Sequence, residues 1–124
     1  YIAGVGTPEA ALAISGASGT NVEQWNGSAW AEVAEYNTSR GQGAASGTTS
    51  TAALFFGGEG PNKANTEVWN GTSWTEIADL SLARSGLGGT GNTVAGFAIG
   101  GQVSPQAGTE EFTAPLANKT ITAS

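Results

Sequence analysis

The chain of 124 residues repeats its own sequence, and this internal repeat restricts the fold more than any other feature. Residues 25–34 read WNGSAWAEVA and recur, at a shift of 44, as residues 69–78, WNGTSWTEIA. The run LFFGG at residues 54–58 recurs as FAIGG at residues 97–101. Motifs that recur in one order at a nearly constant spacing are typical of repeat architectures. We therefore divide the chain into three units, namely residues 1–40, 41–84 and 85–124.

Each unit carries similar residues at equivalent positions. An apolar run ends at two glycines, then a Glu lies two residues before an aromatic residue, a Trp follows, and an Arg ends the first and second units. The first unit departs from this pattern with Ser15 and Gly16 in place of the two glycines, and the third unit lacks the second Trp. The repeated positions are Glu23, Trp25, Trp30, Arg40, Gly57, Gly58, Glu67, Trp69, Trp74, Arg84, Gly100, Gly101, Glu110 and Phe112.

The spacing within one unit predicts four short strands. In the middle unit we expect them at residues 41–46, 51–56, 66–69 and 74–78. The apolar second strand suits burial on both faces, and the two glycines after it give its exit a backbone freedom that other residues lack. No segment combines helical periodicity with capping residues. The chain is therefore predicted to be all-β.

The repeated segment between two Trp residues predicts a tight hairpin. Asn-Gly is favoured where both central turn residues have positive φ, so we expect this of Asn70 and Gly71. Trp69 and Trp74 then pack across the strand pair. The N-glycosylation pattern also occurs four times, and turn chemistry already accounts for the two copies in the hairpins. These four positions are Asn26, Asn37, Asn70 and Asn118.

The residue types that the chain lacks exclude most enzyme chemistry. With no His, Cys or Met, it has no imidazole base, thiolate nucleophile, zinc-finger ligand set, haem ligand or disulfide. Four Lys plus Arg and a net charge of -6 provide no basic patch, so nucleic-acid binding is not expected. No apolar run of about 18 residues is present, so no membrane span is expected. No cofactor or metal site is predicted.

The order of an apolar run, Gly-Gly, Glu-x-aromatic, Trp and a closing Arg resembles the kelch motif over essentially the whole chain. Repeated four-stranded units of about 43 residues are also typical of β-propeller blades. The resemblance implies an all-β β-propeller of kelch-like four-stranded antiparallel blades, of which this chain supplies three. The motif WNGTSWTE at residues 69–76, in a sequence rich in Gly, Thr and Ser, is similar to motifs in kelch-like arrays of structural proteins of marine tailed phages.

The repeated Glu residues suggest either a ring of carboxylates for metal or acid–base chemistry or a scaffold. Because they recur with the repeat, we favour a scaffold in which they pair with Arg40 or Arg84. Adjacent Glu110 and Glu111 point to opposite faces of a predicted strand, so they do not form a close acid pair. The Gly-rich run at residues 86–91 opens no helix and holds no Lys, which argues against a phosphate loop.

The segments between the glycines and the following Glu do not repeat. Residues 17–20, 59–65 and 102–108 occupy one place in each unit, so we expect them on one face of the propeller. Their polar side chains either bind a sugar or a partner's backbone, or form passive surface. The polar residues of the second and third segments that are candidates for binding are Asn62, Lys63, Asn65, Gln102, Ser104 and Gln106.

The resemblance implies two classes of function. The first is a non-enzymatic virion component, a tail-fibre, tail-spike or capsid-decoration module that mediates assembly or host-surface attachment. Its partners are then other virion proteins, further copies of this protein or a host-surface glycan. The lack of Cys fits this class, because such a module does not depend on a redox environment. The second is a secreted or periplasmic bacterial kelch protein, lectin-like or one segment of a sugar-modifying enzyme.

Closure of a propeller predicts more blades than three. Such rings usually hold about four to eight blades, because only a completed ring covers the apolar faces and edges of each blade. The equivalent of Arg40 in the first unit falls just before Tyr1, near a blade boundary. We therefore expect the last three blades of a longer polypeptide. The alternative is a six-bladed ring made by two chains.

Overall fold

A computed structural model of the chain describes residues 2–14, 19–101, 109–113 and 117–121, and the side chains of these residues as far as Glu111. The described residues form twelve strands in three four-stranded antiparallel sheets, and none of them lies in a helix. The prediction of an all-β chain with four strands in each unit is therefore confirmed.

Strands that follow one another in the chain lie side by side, so each repeat unit forms one sheet. The first sheet holds β1 (Ala3–Gly6), β2 (Ala11–Ile14), β3 (Val22–Trp25) and β4 (Trp30–Val33). The second holds β5 (Ala44–Thr49), β6 (Ala52–Phe56), β7 (Thr66–Trp69) and β8 (Trp74–Glu76). The third holds β9 (Gly88–Gly91), β10 (Ala95–Ile99), β11 (Thr109–Thr113) and β12 (Ala117–Ile121).

Two strands of the second sheet differ from the expected boundaries by more than one residue. β7 has the predicted bounds, and β6 begins one residue later than expected. β5 begins three residues late, because Gly41 pairs with Glu59 in an isolated bridge and Gln42 has a left-handed φ of 52°. β8 ends at Glu76, two residues early, where the chain leaves the sheet and crosses toward the third one.

The hairpin between β7 and β8 has the predicted Trp pair but a different turn. The rings of Trp69 and Trp74 lie 5.3 Å apart across the strand pair. The expectation of positive φ at Asn70 is wrong, since Gly71 alone adopts it, at 96°. The Asn70 side-chain oxygen instead accepts hydrogen bonds of 2.9 Å from the N–H groups two and three residues later. The first sheet repeats both features.

The core lies between consecutive sheets. β6 is buried on both faces, as its apolar sequence predicts, because alternate residues point into two different clusters. The cluster shared by the first and second sheets contains Ala3, Leu12, Ile14, Val22, Tyr36, Ala53, Phe55, Trp69 and Trp74. The cluster shared by the second and third contains Ala44, Leu54, Phe56, Leu80, Leu87 and Ala98.

The first strands of the three sheets, β1, β5 and β9, lie next to one another. Their sequences are AGVG, AASGTT and GGTG, and the small side chains allow close approach. A Cβ atom at Gly89 on β9 would lie 2.5 Å from the carbonyl oxygen of Ala45, and one at Gly96, on the adjacent strand β10, would lie 2.6 Å from the hydroxyl oxygen of Ser46. The abundance of Gly and Ala in this sequence therefore has a structural reason, since larger residues would separate these strands.

Candidate functional site

Two segments cross from one sheet to the next, and each ends at a repeated Arg. Residues 34–40 leave the first sheet after β4 and contact the second sheet. Residues 78–84 leave the second sheet after β8 and contact the third. We call them the first and second bridging segments, and we call their contacts with the next sheet the first and second junctions. The described buried ion pairs lie at these junctions.

An aromatic cluster forms the apolar part of the first junction. The Tyr36 ring centroid lies 4.9 Å from that of Phe55 and 6.2 Å from that of Trp74. The Tyr36 hydroxyl lies 2.6 Å from the carbonyl oxygen of Gly19 and 3.0 Å from that of Arg40. Burial raises the pKa of Tyr36 above its ordinary value, because desolvation disfavours the phenolate more than the nearby Arg40 favours it.

An ion pair between Arg40 and Glu67 forms the polar part of the first junction. Arg40 Nη1 lies 2.7 Å from Glu67 Oε2, and both side chains are fully buried. Asn37 donates to Glu67 Oε1 through its backbone N–H at 2.6 Å and its side-chain amide at 2.8 Å. Arg40 Nη2 donates to the carbonyl oxygen of Phe55 at 3.1 Å. Because both charges have several partners, these contacts offset the desolvation cost of burying them.

The second junction contains the same arrangement. Arg84 Nη2 donates to Glu110 Oε2 at 2.8 Å, and Arg84 Nη1 donates to the carbonyl oxygen of Gly100 at 3.0 Å. Ser81 donates to Glu110 Oε1 through its backbone N–H and its hydroxyl, each at 2.6 Å. The predicted pairing of repeated Glu and Arg residues is therefore confirmed at two places. Glu110 is buried and the adjacent Glu111 is half-buried, as expected for opposite faces of a strand.

The two glycines after β6 lie where the bridging segments meet. Gly57 and Gly58 have φ angles of 69° and 131°, which other residues rarely adopt. A Cβ atom at Gly57 would lie 2.7 Å from the carbonyl oxygen of Arg84, and one at Gly58 would lie 2.9 Å from the Cβ of Arg40. The Gly58 N–H donates to that Arg84 carbonyl at 2.7 Å. The glycines thus provide both the strand exit and the space for the Arg84 backbone and the Arg40 side chain.

The first sheet carries a repeated Glu that lacks these contacts. Glu23 is exposed, and it has no ion-pair or hydrogen-bond partner among the residues that the structure describes. The side chain of Trp30 is 50% exposed, whereas the equivalent Trp74 is 7% exposed. The face of the first sheet that corresponds to a junction is therefore uncovered within the described part of the chain.

The candidate loop residues differ in whether their side chains have partners within the protein, and some of them lie outside the described residues. Asn62 accepts a hydrogen bond of 2.8 Å from the Ser85 hydroxyl, and Asn65 donates one of 3.0 Å to Glu76. Asn65 therefore contributes to the internal structure of the second unit, whereas Asn62 joins the second unit to the third. The Lys63 side chain is half-buried and has no ion-pair partner within the described ranges. Outside the described residues lie Gln102, Ser104 and Gln106, and residues 17 and 18 of the first segment.

The repeated motifs did not identify two residues that donate hydrogen bonds to the buried carboxylates. Asn37 and Ser81 donate to Glu67 and Glu110, and each lies three residues before a repeated Arg. Each also follows a buried residue with a large apolar side chain, Tyr36 or Leu80. The signal was therefore a spaced pattern of one apolar residue, Asn or Ser, two variable residues and Arg. It is difficult to detect because the two segments share few identical residues.

A shallow depression of about 180 Å³ lies where the first strands converge. Its lining residues are Ala3, Gly4, Gly43, Ala44, Ala45, Leu87, Gly88 and Gly89. None of them is ionisable. Among the described residues, no three acidic side chains come close enough together to hold a metal ion. The described part of the chain also has no helix with the length and apolar character needed to cross a membrane.

Comparison of the sequence with models of known protein families gave no match, and comparison with functionally curated proteins gave none either.

Proposed function

We propose that the chain forms three consecutive blades of a kelch-like β-propeller, and that this propeller is a non-enzymatic structural and binding module of a virion. The observation that carries the proposal is the pair of equivalent junctions, in which an Arg from one four-stranded sheet is buried against a Glu of the next. The neighbouring positions of β1, β5 and β9 support the same arrangement, because propeller blades surround a central channel.

Further blades complete the ring in this proposal. Large apolar side chains remain exposed at both ends of the three-sheet array, with Trp30 at 50% and Ile99 at 45%. A ring of about four to eight blades covers such faces. An experimental structure of the protein purified from its natural source tests this directly. A closed ring of four-stranded blades supports the proposal, and an open stack of sheets contradicts it.

The virion role is supported by the resemblance of the repeat to phage kelch-like arrays and by the absence of His and Cys, the usual catalytic bases and nucleophiles. Mass spectrometry of density-purified particles from the natural source tests this role. We expect peptides of this chain at a constant ratio to the other structural proteins of the particle. Recovery only from the soluble extracellular or periplasmic fraction would support the alternative, a kelch protein that is lectin-like or part of a sugar-modifying enzyme.

In this proposal, the edge that carries residues 59–65 performs host-surface attachment. Lys63 lies in this segment and has no described ionic partner, so its ammonium group is available to a ligand. A glycan array tests this assignment with Lys63→Ala and with Thr72→Ala, an exposed control in the β7–β8 hairpin. We expect binding that only the first variant weakens. An array without any bound glycan would restrict the module to a role in assembly.

A further inference from the structure

The three repeated Glu residues occupy equivalent strand positions but have different surroundings. Glu23 on β3 lies opposite Ala13 and Glu32, as Glu67 on β7 lies opposite Phe55 and Glu76. Glu67 and Glu110 are fully buried and paired with Arg. Glu23 is exposed and unpaired within the described residues. The position that is a buried carboxylate in two sheets is thus open to solvent in the first.

The aromatic residues beside Glu23 show the same difference. Trp25 and Trp30 pack across their hairpin at 5.5 Å, much as Trp69 and Trp74 do at 5.3 Å. The second pair is covered by the first bridging segment, to which Trp74 donates a hydrogen bond. No equivalent segment covers the first pair within the described part of the chain. We call the surface formed by Glu23, Trp30 and the outer face of β2 the Glu23 surface.

The second and third sheets show which type of segment covers the equivalent surface. In both, a segment of the preceding unit presents a large apolar side chain, then Asn or Ser, and three residues later an Arg. Asn or Ser donates two hydrogen bonds to one carboxylate oxygen, and the Arg donates to the other. We propose that the Glu23 surface docks a segment of this chemistry from a further repeat unit that is not among these 124 residues.

A second copy of these 124 residues does not fit this surface. Its two Arg residues, Arg40 and Arg84, are already buried in ion pairs, and releasing either would leave a buried carboxylate without its counter-charge. Its other cations are Lys63 and Lys119, and neither lies three residues after Asn or Ser. Lys also lacks the planar fork with which Arg bonds a carboxylate and a carbonyl together. The occupant is therefore a different unit with its own Arg.

This inference depends on the equivalence of the three units and is independent of the virion role, so either can fail without the other. The test supplies the missing segment within the chain itself. A copy of residues 34–41 is added before Tyr1, which places the copied Arg four residues before Ala3. Arg40 lies at the same distance from Ala44, and Ala3 and Ala44 occupy the same register in their sheets.

We expect the extended chain to melt roughly 4 °C or more above the original chain. Iodide should also quench its tryptophan fluorescence less, because Trp30 becomes covered. Glu23→Gln in the extended chain should remove most of both effects, and so should an extension that carries Ala in place of its Arg. Glu9→Gln, at an exposed Glu on the β1–β2 turn, is the matched control and should leave both effects intact.

Two results with the extended and original chains would overturn the inference. One is an extended chain with the melting temperature and quenching of the original, or with a gain that Glu23→Gln leaves unchanged. The other is a dimer of the original chain, measured by sedimentation, that Glu23→Gln dissociates, because a second copy would then be the occupant. Should the extended chain fail to fold, the peptide of residues 34–41 is titrated into the original chain. Its binding should shift the Trp30 indole NMR signal, and no shift at millimolar peptide would also overturn the inference.

Discussion

The two junctions share one ion pair but differ in the apolar groups around it. At the first, the rings of Tyr36 and Phe55 lie against the Arg40 guanidinium group, and Trp74 packs against Tyr36. At the second, Leu80 takes the place of Tyr36 in a mainly aliphatic cluster that also contains Phe56. Both junctions therefore contain the charge pair and a backbone N–H donor to its carboxylate, whereas the apolar side chains around the pair differ between the junctions. Packing tolerates such changes of shape more readily than the loss of one partner of a buried charge pair.

Removal of either Arg has the largest expected effect. Arg40→Ala leaves Glu67 buried without its partner, and Arg84→Ala does the same to Glu110, so each should lower the free energy of unfolding by about 3–5 kcal/mol. The loss at Arg40 should be the larger, because its guanidinium group also lies 4.6 Å from the Phe55 ring centroid. Urea unfolding measures both values. A loss below about 1 kcal/mol, as for an exposed ion pair, would contradict the burial of these charges.

A comparison of the same substitution at two equivalent hairpin glycines measures how much the aromatic cluster of the first junction contributes to stability. Gly27 and Gly71 have φ angles of 97° and 96°, so Val at either position adds similar backbone strain, about 1–3 kcal/mol. Gly71→Val should cost about 1 kcal/mol more, because its hairpin places Trp74 against Tyr36. Thermal unfolding of both variants gives the difference. Equal losses would mean that Trp74 contributes little to the first junction, and unchanged stability would remove the assignment of the turns.

The Tyr36 hydroxyl gives a smaller effect that depends on pH. Tyr36→Phe removes its contacts with two carbonyl oxygens and should cost about 1 kcal/mol near neutral pH. Burial raises the pKa of Tyr36 in the folded state, so its contribution is complete below the unfolded value of about 10 and decreases as the pH rises above it. The original chain should therefore lose stability above that pH more steeply than the variant. Parallel curves from chemical denaturation across this range would contradict the burial of the hydroxyl.

The smallest effect is expected in the first sheet. Glu23→Gln should leave the melting temperature of the chain unchanged, because an exposed side chain without described partners contributes little to folding. Glu67→Gln at the equivalent position should destabilise strongly, since Arg40 then lies buried against a neutral amide. Similar losses of stability for the two variants would mean that Glu23 also has a stabilising partner in the folded chain. The surroundings of Glu23 and Glu67 would then be more alike than their difference in solvent exposure indicates.

The repeat predicted the strands because each sheet forms from residues that are close in sequence. The hairpin with Trp69 and Trp74 and the double burial of β6 are visible in local pattern, and both are present. The start of β5 was predicted too early, because Gly41 bonds to Glu59 in a loop whose position depends on the whole unit. The φ of Asn70 was also wrong, because its side chain accepts hydrogen bonds from the turn and leaves Gly71 alone with positive φ.

At the junctions, the sequence predicted that Glu and Arg residues pair, but it did not predict the hydrogen-bond donors around them or which Glu residues are buried. Glu67 and Arg40 recur with the repeat, and this recurrence favoured a scaffold of Glu–Arg pairs, of which the structure shows this one. The identity of the donors, Asn37 and Ser81, depends on how the bridging segments cross between sheets, which no single unit encodes. The same dependence explains why Glu23 has the sequence of a junction residue without its environment. Burial at a repeated position is a property of two neighbouring units, whereas sequence pattern describes only one.

The central claim is that Arg40 and Glu67 stabilise the fold by joining two sheets, and a double-mutant cycle measures this most directly. The cycle compares Arg40→Ala, Glu67→Gln and the double variant by urea unfolding. We expect a coupling free energy of about 2 kcal/mol or more, within the range found for residues that share one buried network. The double variant should then be less destabilised than the sum of the two single variants. Additive losses, within about 0.5 kcal/mol, would show that the two side chains act independently and would contradict the account.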